Sequence, residues 1–209
     1  MGRLPENYAA LCEGSVLTLL KLKFSGSLYG FQSQLGNMFA PLSIEQIMAK
    51  LPKRAVAVKR LDKLPPLPAA YLSFLQQCES VEITPDIRLW GYQTALNENC
   101  RLSCDYPDTA ARYWLIGNSG QGDTWLIGKE GGNILFYDHN QGEYDEAEAQ
   151  FADMAVGFIP FLQTAFLLQE LETLLETQSA PNQQAQDAFQ ARMDEIALGL
   201  YERYPFAYW

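Results

Sequence analysis

Apolar positions recur along this chain at two spacings, one near 3.6 residues and one of two, and they change over in the middle. Residues 1–40 show neither cleanly. Alternation and a helical stripe mix across residues 15–24, Gly26, Gly30 and Gly36 punctuate residues 25–40, and no element is assigned there. The pattern sharpens at residue 42. Ser43 stands as an N-cap, Gln46 lies three residues on as its capping-box partner, and Leu42 and Ile47 occupy staple positions. Ile44, Ile47, Met48 and Leu51 then share one helical face. Lys63-Leu64-Pro65-Pro66-Leu67 predicts a stiff extended connector, since each proline restricts the residue before it. Pro68 suits the first turn of a second helix, which carries Tyr71, Phe74, Leu75 and Cys78 at i, i+3, i+4 and i+7.

After Ser80 the spacing changes. Residues 81–83 and 87–92 read as strands, and residues 112–117, 124–128 and 133–138 read so more strongly. The last three are β-branched and aromatic runs separated by Gly-rich turns, the pattern of an antiparallel meander. The acidic stretch 143–148 predicts a loop. A helix starts near Phe158, with Gly157 as N-cap and Pro160 in the first turn, and runs to about residue 178 through Phe161, Leu162, Ala165, Leu168 and Leu175. Ser179-Ala180-Pro181 breaks it, and a last helix carries Phe189, Met193, Ile196 and Leu200. Helices, then a meander, then helices predict an α+β fold, with an antiparallel sheet flanked by helices.

Composition adds limits. With 209 residues and 48% hydrophobic content the chain can bury a core of its own, so a single domain is expected: a centre at about 43–170, an N-terminal extension at 1–40 and a C-terminal helix at 181–204. Fifteen basic residues against 25 acidic ones give a formal charge of -10, which repels phosphate backbones and anionic lipid, so neither nucleic acid nor membrane is an expected partner. The one basic cluster (Lys50, Lys53, Arg54, Lys59, Arg60, Lys63) lacks interleaved aromatics and reads as a solvated face. The N-terminus has no signal-peptide pattern, and the apolar run 16–22 is too short to span a bilayer. A cytoplasmic location is therefore expected, with Cys12, Cys78, Cys100 and Cys104 reduced.

Candidate chemistry is thin. His139, the only histidine, is a possible general base beside Asp138, yet its place at a strand end favours a structural hydrogen-bonding role. Cys100 and Cys104 have metal-ligand spacing, but no second Cys/His pair accompanies them, which favours ordinary thiols and no metal. The loop 118–123 lacks the Lys-Ser/Thr of a P-loop, and Ser119 lacks a nucleophile-elbow context. No enzyme activity and no cofactor are therefore expected. Binding has better material. Asp138, Glu143, Asp145, Glu146, Glu148 and Asp153 place six carboxylates within sixteen residues. A solvated acidic loop is the simplest account, and an interface for a basic protein is the functional one. Trp90, Trp114, Trp125 and Tyr113 are candidate anchors, with core positions the commoner fate of strand aromatics.

Four segments in order carry a family resemblance: the short helix 43–51; Leu67-Pro68-Ala69-Ala70-Tyr71-Leu72-Ser73-Phe74-Leu75; Trp114-Leu115-Ile116-Gly117-Asn118 with Gly120-Gln121-Gly122-Asp123 and the strand 132–139 after it; and Met154-Ala155-Val156-Gly157-Phe158-Ile159-Pro160-Phe161-Leu162. In these the chain resembles the SUKH superfamily, which includes fungal cell-wall-synthesis regulators and many bacterial toxin-immunity proteins. The likeness covers about residues 43–170. Cys78-Glu79-Ser80 stands where the family often has Asn-Gly, Gly157 replaces a usual Ser, and Leu4-Pro5-Glu6-Asn7-Tyr8 mimics the second motif without strands after it. The resemblance implies a non-catalytic protein-binding domain, foremost an immunity-type protein that neutralises a basic toxin domain. Glu143, Asp145, Glu146, Glu148, Trp90 and Trp125 are then the candidate contacts. A regulatory scaffold for an endogenous protein and a hydrolase-type enzyme using Asp138 and His139 are the alternatives.

Overall fold

The computed structural model describes residues 38–59, 61–147, 151–177 and 183–209. The chain divides into two units, Met1–Ala40 and Pro41–Trp209, and the strands and helices given below lie in the second. The expectations for residues 1–37, Cys12 among them, and for Glu148 lie outside the described residues, as does the side chain of Glu146.

Among the described residues six strands form one sheet in sequence order: β1 (Val81–Thr84), β2 (Ile87–Leu89), β3 (Tyr113–Asn118), β4 (Thr124–Gly128), β5 (Ile134–Tyr137) and β6 (Ala152–Asp153). Every neighbouring pair is antiparallel, so the architecture is the expected α+β one. Helices α1 (Ile44–Lys50) and α2 (Ala69–Gln77) precede the sheet. Helices α3 (Tyr92–Asp105) and α4 (Pro107–Arg112) fill the connection from β2 to β3. A one-turn α5 (Tyr144–Ala147) comes after β5, and α6 (Phe158–Thr177), α7 (Gln183–Ile196) and α8 (Leu200–Arg203) close the chain.

Both faces of the sheet are covered. Trp125 of β4 packs on Phe161 of α6, with ring centroids 4.8 Å apart, while its neighbour Leu126 joins Leu102 of α3, Ala110 of α4, Leu115 and Leu135 on the opposite face. Successive strand residues point to opposite faces. A strand covered on both sides is therefore apolar throughout, which is why Thr124-Trp125-Leu126-Ile127-Gly128 is buried at all five positions. Gly117 is required by closeness: a Cβ there would lie 2.3 Å from the Arg88 carbonyl oxygen of β2.

The expected capping box is present, with Gln46 N–H donating to Ser43 Oγ at 3.3 Å and Ser43 N–H to Gln46 Oε1 at 2.7 Å. The stripe behind it is narrower than expected: Ile47 and Leu51 are buried, but Ile44 is 53% exposed. The strand expected at 87–92 stops at Leu89, because Gly91 is the N-cap of α3. Neither α3 nor α4 is legible in the sequence, since the buried face of α3 is only Ala95, Asn99 and Leu102, a stripe interrupted by an amide. Arg112 ends α4 and does not begin β3. Tyr144–Ala147 is helical in place of the expected loop, and Leu200 belongs to the separate helix α8.

Candidate functional site

Two places hold the side chains that the sequence singles out. The first is the corner where the β3–β4 turn meets the end of β5. Ser119 N–H donates to the Asp123 carbonyl at 2.9 Å, and Ser119 Oγ accepts from Gln121 N–H and Asp123 N–H at 3.1 and 3.3 Å. The Ser119 hydroxyl donates in turn to Asp123 Oδ2 at 2.9 Å. Asp123 Oδ1 accepts from the His139 backbone N–H at 3.3 Å and from its imidazole Nδ1, 2.7 Å away. A carboxylate only accepts, so the imidazole Nδ1 carries a proton and donates it to this bond. Gly122, at φ +103°, lies against the His139 ring, in backbone space that disfavours a side chain.

An Asp–His pair of this geometry orients an imidazole as a general base does. The Ser119 hydroxyl is buried and directed at the carboxylate, not at His139. Asp138 does not face the imidazole by hydrogen bonding either. Its Oδ1 accepts from Asn140 N–H and Nδ2, both at 2.9 Å, and its Oδ2 from Gln141 Nε2 at 3.2 Å. These bonds, the Asn140 N–H first, hold its carboxyl below the usual range. Asp123, Asp138 and His139 could each offer one ligand atom within 4.8 Å of the others. All four carboxylate oxygens already accept hydrogen bonds from the protein. The corner works as a tie: Asp123 fastens the β3–β4 turn to the chain leaving β5.

The second place is an acidic aromatic face. Tyr106, at the junction of α3 and α4, donates its hydroxyl proton to the Glu143 carboxylate, 37 residues on. Tyr144 meets the Tyr106 ring edge-on with centroids 5.5 Å apart and stacks on Tyr137 at 4.2 Å. The Tyr144 hydroxyl shares a 2.9 Å hydrogen bond with Thr124 Oγ1, and Tyr137 donates to the Gly142 carbonyl at 2.7 Å. Phe151 packs edge-on against Tyr113 and Tyr137. The exposed carboxylates of Asp105, Glu143 and Asp145 surround the half-buried Tyr106. The bond to Glu143, ahead of the other two charges, raises the Tyr106 hydroxyl to about 12. Burial raises that of Tyr144 to about 12 as well.

Of the expected contacts, Glu143 and Asp145 lie on this face. Trp90 is half-buried beside it and donates from Nε1 to Asn118 Oδ1 at 3.2 Å. Trp125 is not a contact. It is 0% exposed, donates from Nε1 to the Asp86 carbonyl at 2.7 Å and packs on Phe136 and Phe161, so no partner reaches it while the core is intact. Trp114 is likewise buried. Asp153 is tied to Asn133 Nδ2 and to Ala155 N–H. Asp105 and Tyr106 escape a reading of the sequence that leaves residues 92–112 without helices. Pro107 at the first helical position with Asp108 behind it is the signal that could have found them. Cys100 and Cys104 are exposed on α3, and among the described residues no third ligand-bearing side chain joins them.

No helix among the described residues is long and apolar enough to cross a membrane. No protein-family model, no curated protein and no solved structure matches this chain.

Proposed function

We propose that this chain is a cytoplasmic, non-catalytic protein-binding domain that uses the acidic aromatic face to engage a cationic protein surface. The observation that carries this is the union of charge and rigidity at Tyr106. Exposed carboxylates from α3 and from the Glu143–Asp145 segment converge there on stacked tyrosines that are already fixed by hydrogen bonds. Charge of one sign speeds encounter with a partner of the other, and aromatics held in place lose little entropy on contact. Toxin neutralisation, the role of the immunity proteins that the chain resembles, suits such a surface, because a basic toxin domain presents the complement. A regulatory scaffold would use the same surface with an endogenous partner.

The experiment uses the full chain as bait in its native host, beside a variant with Glu143→Gln, Asp145→Asn, Glu146→Gln and Glu148→Gln together. A basic protein retained by the wild type and lost from the variant supports the proposal. A partner held equally by both places the binding face elsewhere. The enzyme alternative, a hydrolase using Asp138 and His139, would have Asp123 as the partner of the imidazole at 2.7 Å, and it requires a hydrolytic activity that His139→Ala abolishes.

A further inference from the structure

Where β2 leaves β3 the sheet has a gap. Among the described residues β2 pairs with β3 at Asn118 and Gly117, Trp90 N–H adds a bond to the Ile116 carbonyl, and the first residues of β3 have β4 on one side and no described strand on the other. Asn99 of α3 fills the ladder in its place. Its Oδ1 accepts from Leu115 N–H and its Nδ2 donates to the Leu115 carbonyl, both at 2.8 Å, as a neighbouring strand would. A single amide side chain is narrower than a strand. Beside it a cavity of 540 Å³ opens between α3, the 63–65 connector and the start of β3. That volume is in the range of sites for small organic molecules.

The lining is unusual for this chain. Leu64, Pro65, Leu96 and the Trp114 ring supply apolar walls, Lys63 and Lys129 supply two ammonium groups, and no acid contributes. Lys129 is half-buried, donates to the Ala110 carbonyl and holds its Nζ 6.0 Å from the centre of the Trp114 ring. Burial lowers its pKa. Among the described residues neither lysine has a carboxylate partner. In a protein with 25 acidic and 15 basic residues, two cations without a carboxylate partner on one cavity, lined also by Asn99 and Ser103, are out of keeping with the charge of the chain. A partly desolvated ammonium gains most from an anion that shares its enclosure.

We infer that this cavity is a binding site for a small organic anion with a flat apolar body, its acid group held by Lys63 and Lys129 and its body laid along Leu64, Pro65 and Leu96. The same two cations suit a carboxylate or a phosphate. The inference stands apart from the protein-binding proposal, since it uses a different face. Cys100 and Cys104 line the same cavity. Both thiols are exposed on the free protein, and a bound ligand shields them.

The test uses the full chain with four probes: 1-naphthoate, 1-naphthyl phosphate, neutral 1-naphthalenemethanol and inorganic phosphate. Affinity is read by calorimetry, and access by the alkylation rates of Cys100 and Cys104 in a mass spectrometer, with the buried Cys78 as internal reference. One of the naphthyl acids binds, and at about ten times its Kd it slows alkylation of both thiols about tenfold. Whichever binds more tightly identifies the acid group. The neutral alcohol binds about tenfold more weakly or worse, as do both acids to Lys63→Gln and Lys129→Gln, because each change removes a charge-assisted contact. Inorganic phosphate, which lacks the apolar body, binds more weakly than 1-naphthyl phosphate. Lys63 lies exposed in the connector, so its variant keeps the fold even if that of Lys129 does not. Lys59→Gln, outside the cavity, leaves affinity unchanged. Equal binding of alcohol and acid, undiminished affinity in Lys63→Gln, or thiols unprotected by either naphthyl acid at millimolar concentration overturns the inference.

Discussion

Two inward-facing carboxylates stand at the same end of the sheet, and their surroundings could hardly differ more. Asp123, at the β3–β4 turn, receives three donors on two oxygens: the Ser119 hydroxyl, the His139 N–H and the His139 imidazole. Asp86, in the neighbouring β1–β2 turn, has the Tyr208 hydroxyl at 2.8 Å, and that hydroxyl also lies 3.1 Å from Glu172 on α6. A phenol has one proton and cannot donate to two carboxylates at once. Burial raises the pKa of Asp86 and of Glu172 against the lowering effect of the Tyr208 hydroxyl, and the charges of Asp123 near Asp86, and of Asp86, Glu176 and Glu82 near Glu172, add to the rise. With one proton bound, a carboxylic acid donates to the Tyr208 oxygen while Tyr208 donates to the other carboxylate, and all three groups are satisfied. The count of donors distinguishes the tie at Asp123 from the latch that Tyr208 forms with Asp86 and Glu172. The latch holds the C-terminal tail, whose Tyr204 stacks on Trp125 and whose Phe206 meets Phe136 edge-on.

The largest effect is expected at the tie. Asp123→Ala leaves the Ser119 and His139 donors without an acceptor and lowers unfolding free energy by about 3 kcal/mol in urea titration. A loss below about 1 kcal/mol would remove the distinction between the two corners. At the latch the sign is opposite. Asp86 and Glu172 have folded pKa values above their unfolded ones, so folding takes up protons there. Their stabilising contribution is complete below the unfolded values, near about 4, and is lost as pH rises through the folded ones. Asp86→Asn replaces an acceptor by a group that can also donate. It stabilises the protein at about pH 7.5 by up to about 1 kcal/mol and reduces the gain in stability seen on acidification. The wild-type-minus-variant difference between about pH 7.5 and about pH 5 reads this directly. The smallest effect is expected at His139. Its side chain is 44% exposed, and the backbone N–H keeps its own bond to Asp123, so His139→Ala costs about 1 kcal/mol or less in the same titration.

These corners also mark how far the sequence can be read. The meander is legible because β3, β4 and β5 are short apolar runs with Gly-rich turns between them, and α6 is legible from Gly157, Pro160 and a dense apolar stripe. Local pattern with a long-range cause is not. Asn99 looks like a break in an amphipathic helix until Leu115 is set against it. Tyr106 and Glu143 are unremarkable apart, and they meet only because α3 and α4 bring the first to the second. His139 is the hydrogen-bonding residue its strand-end position implies, but the partner is Asp123 across the turn and not the adjacent Asp138. Trp125 is indistinguishable by type from Trp90, and only the packing of α6 decides which is enclosed.

The protein-binding proposal is tested most directly by the association rate with the captured partner, measured in stopped flow across ionic strength. For the wild type the rate should fall as salt rises, and near about 1 M, where the screening length is about 3 Å, it should approach that of the variant neutralised at Glu143, Asp145, Glu146 and Glu148. At low salt that variant should associate about tenfold more slowly at nearly unchanged stability. A rate indifferent both to salt and to the four substitutions would contradict a charged binding face at Tyr106.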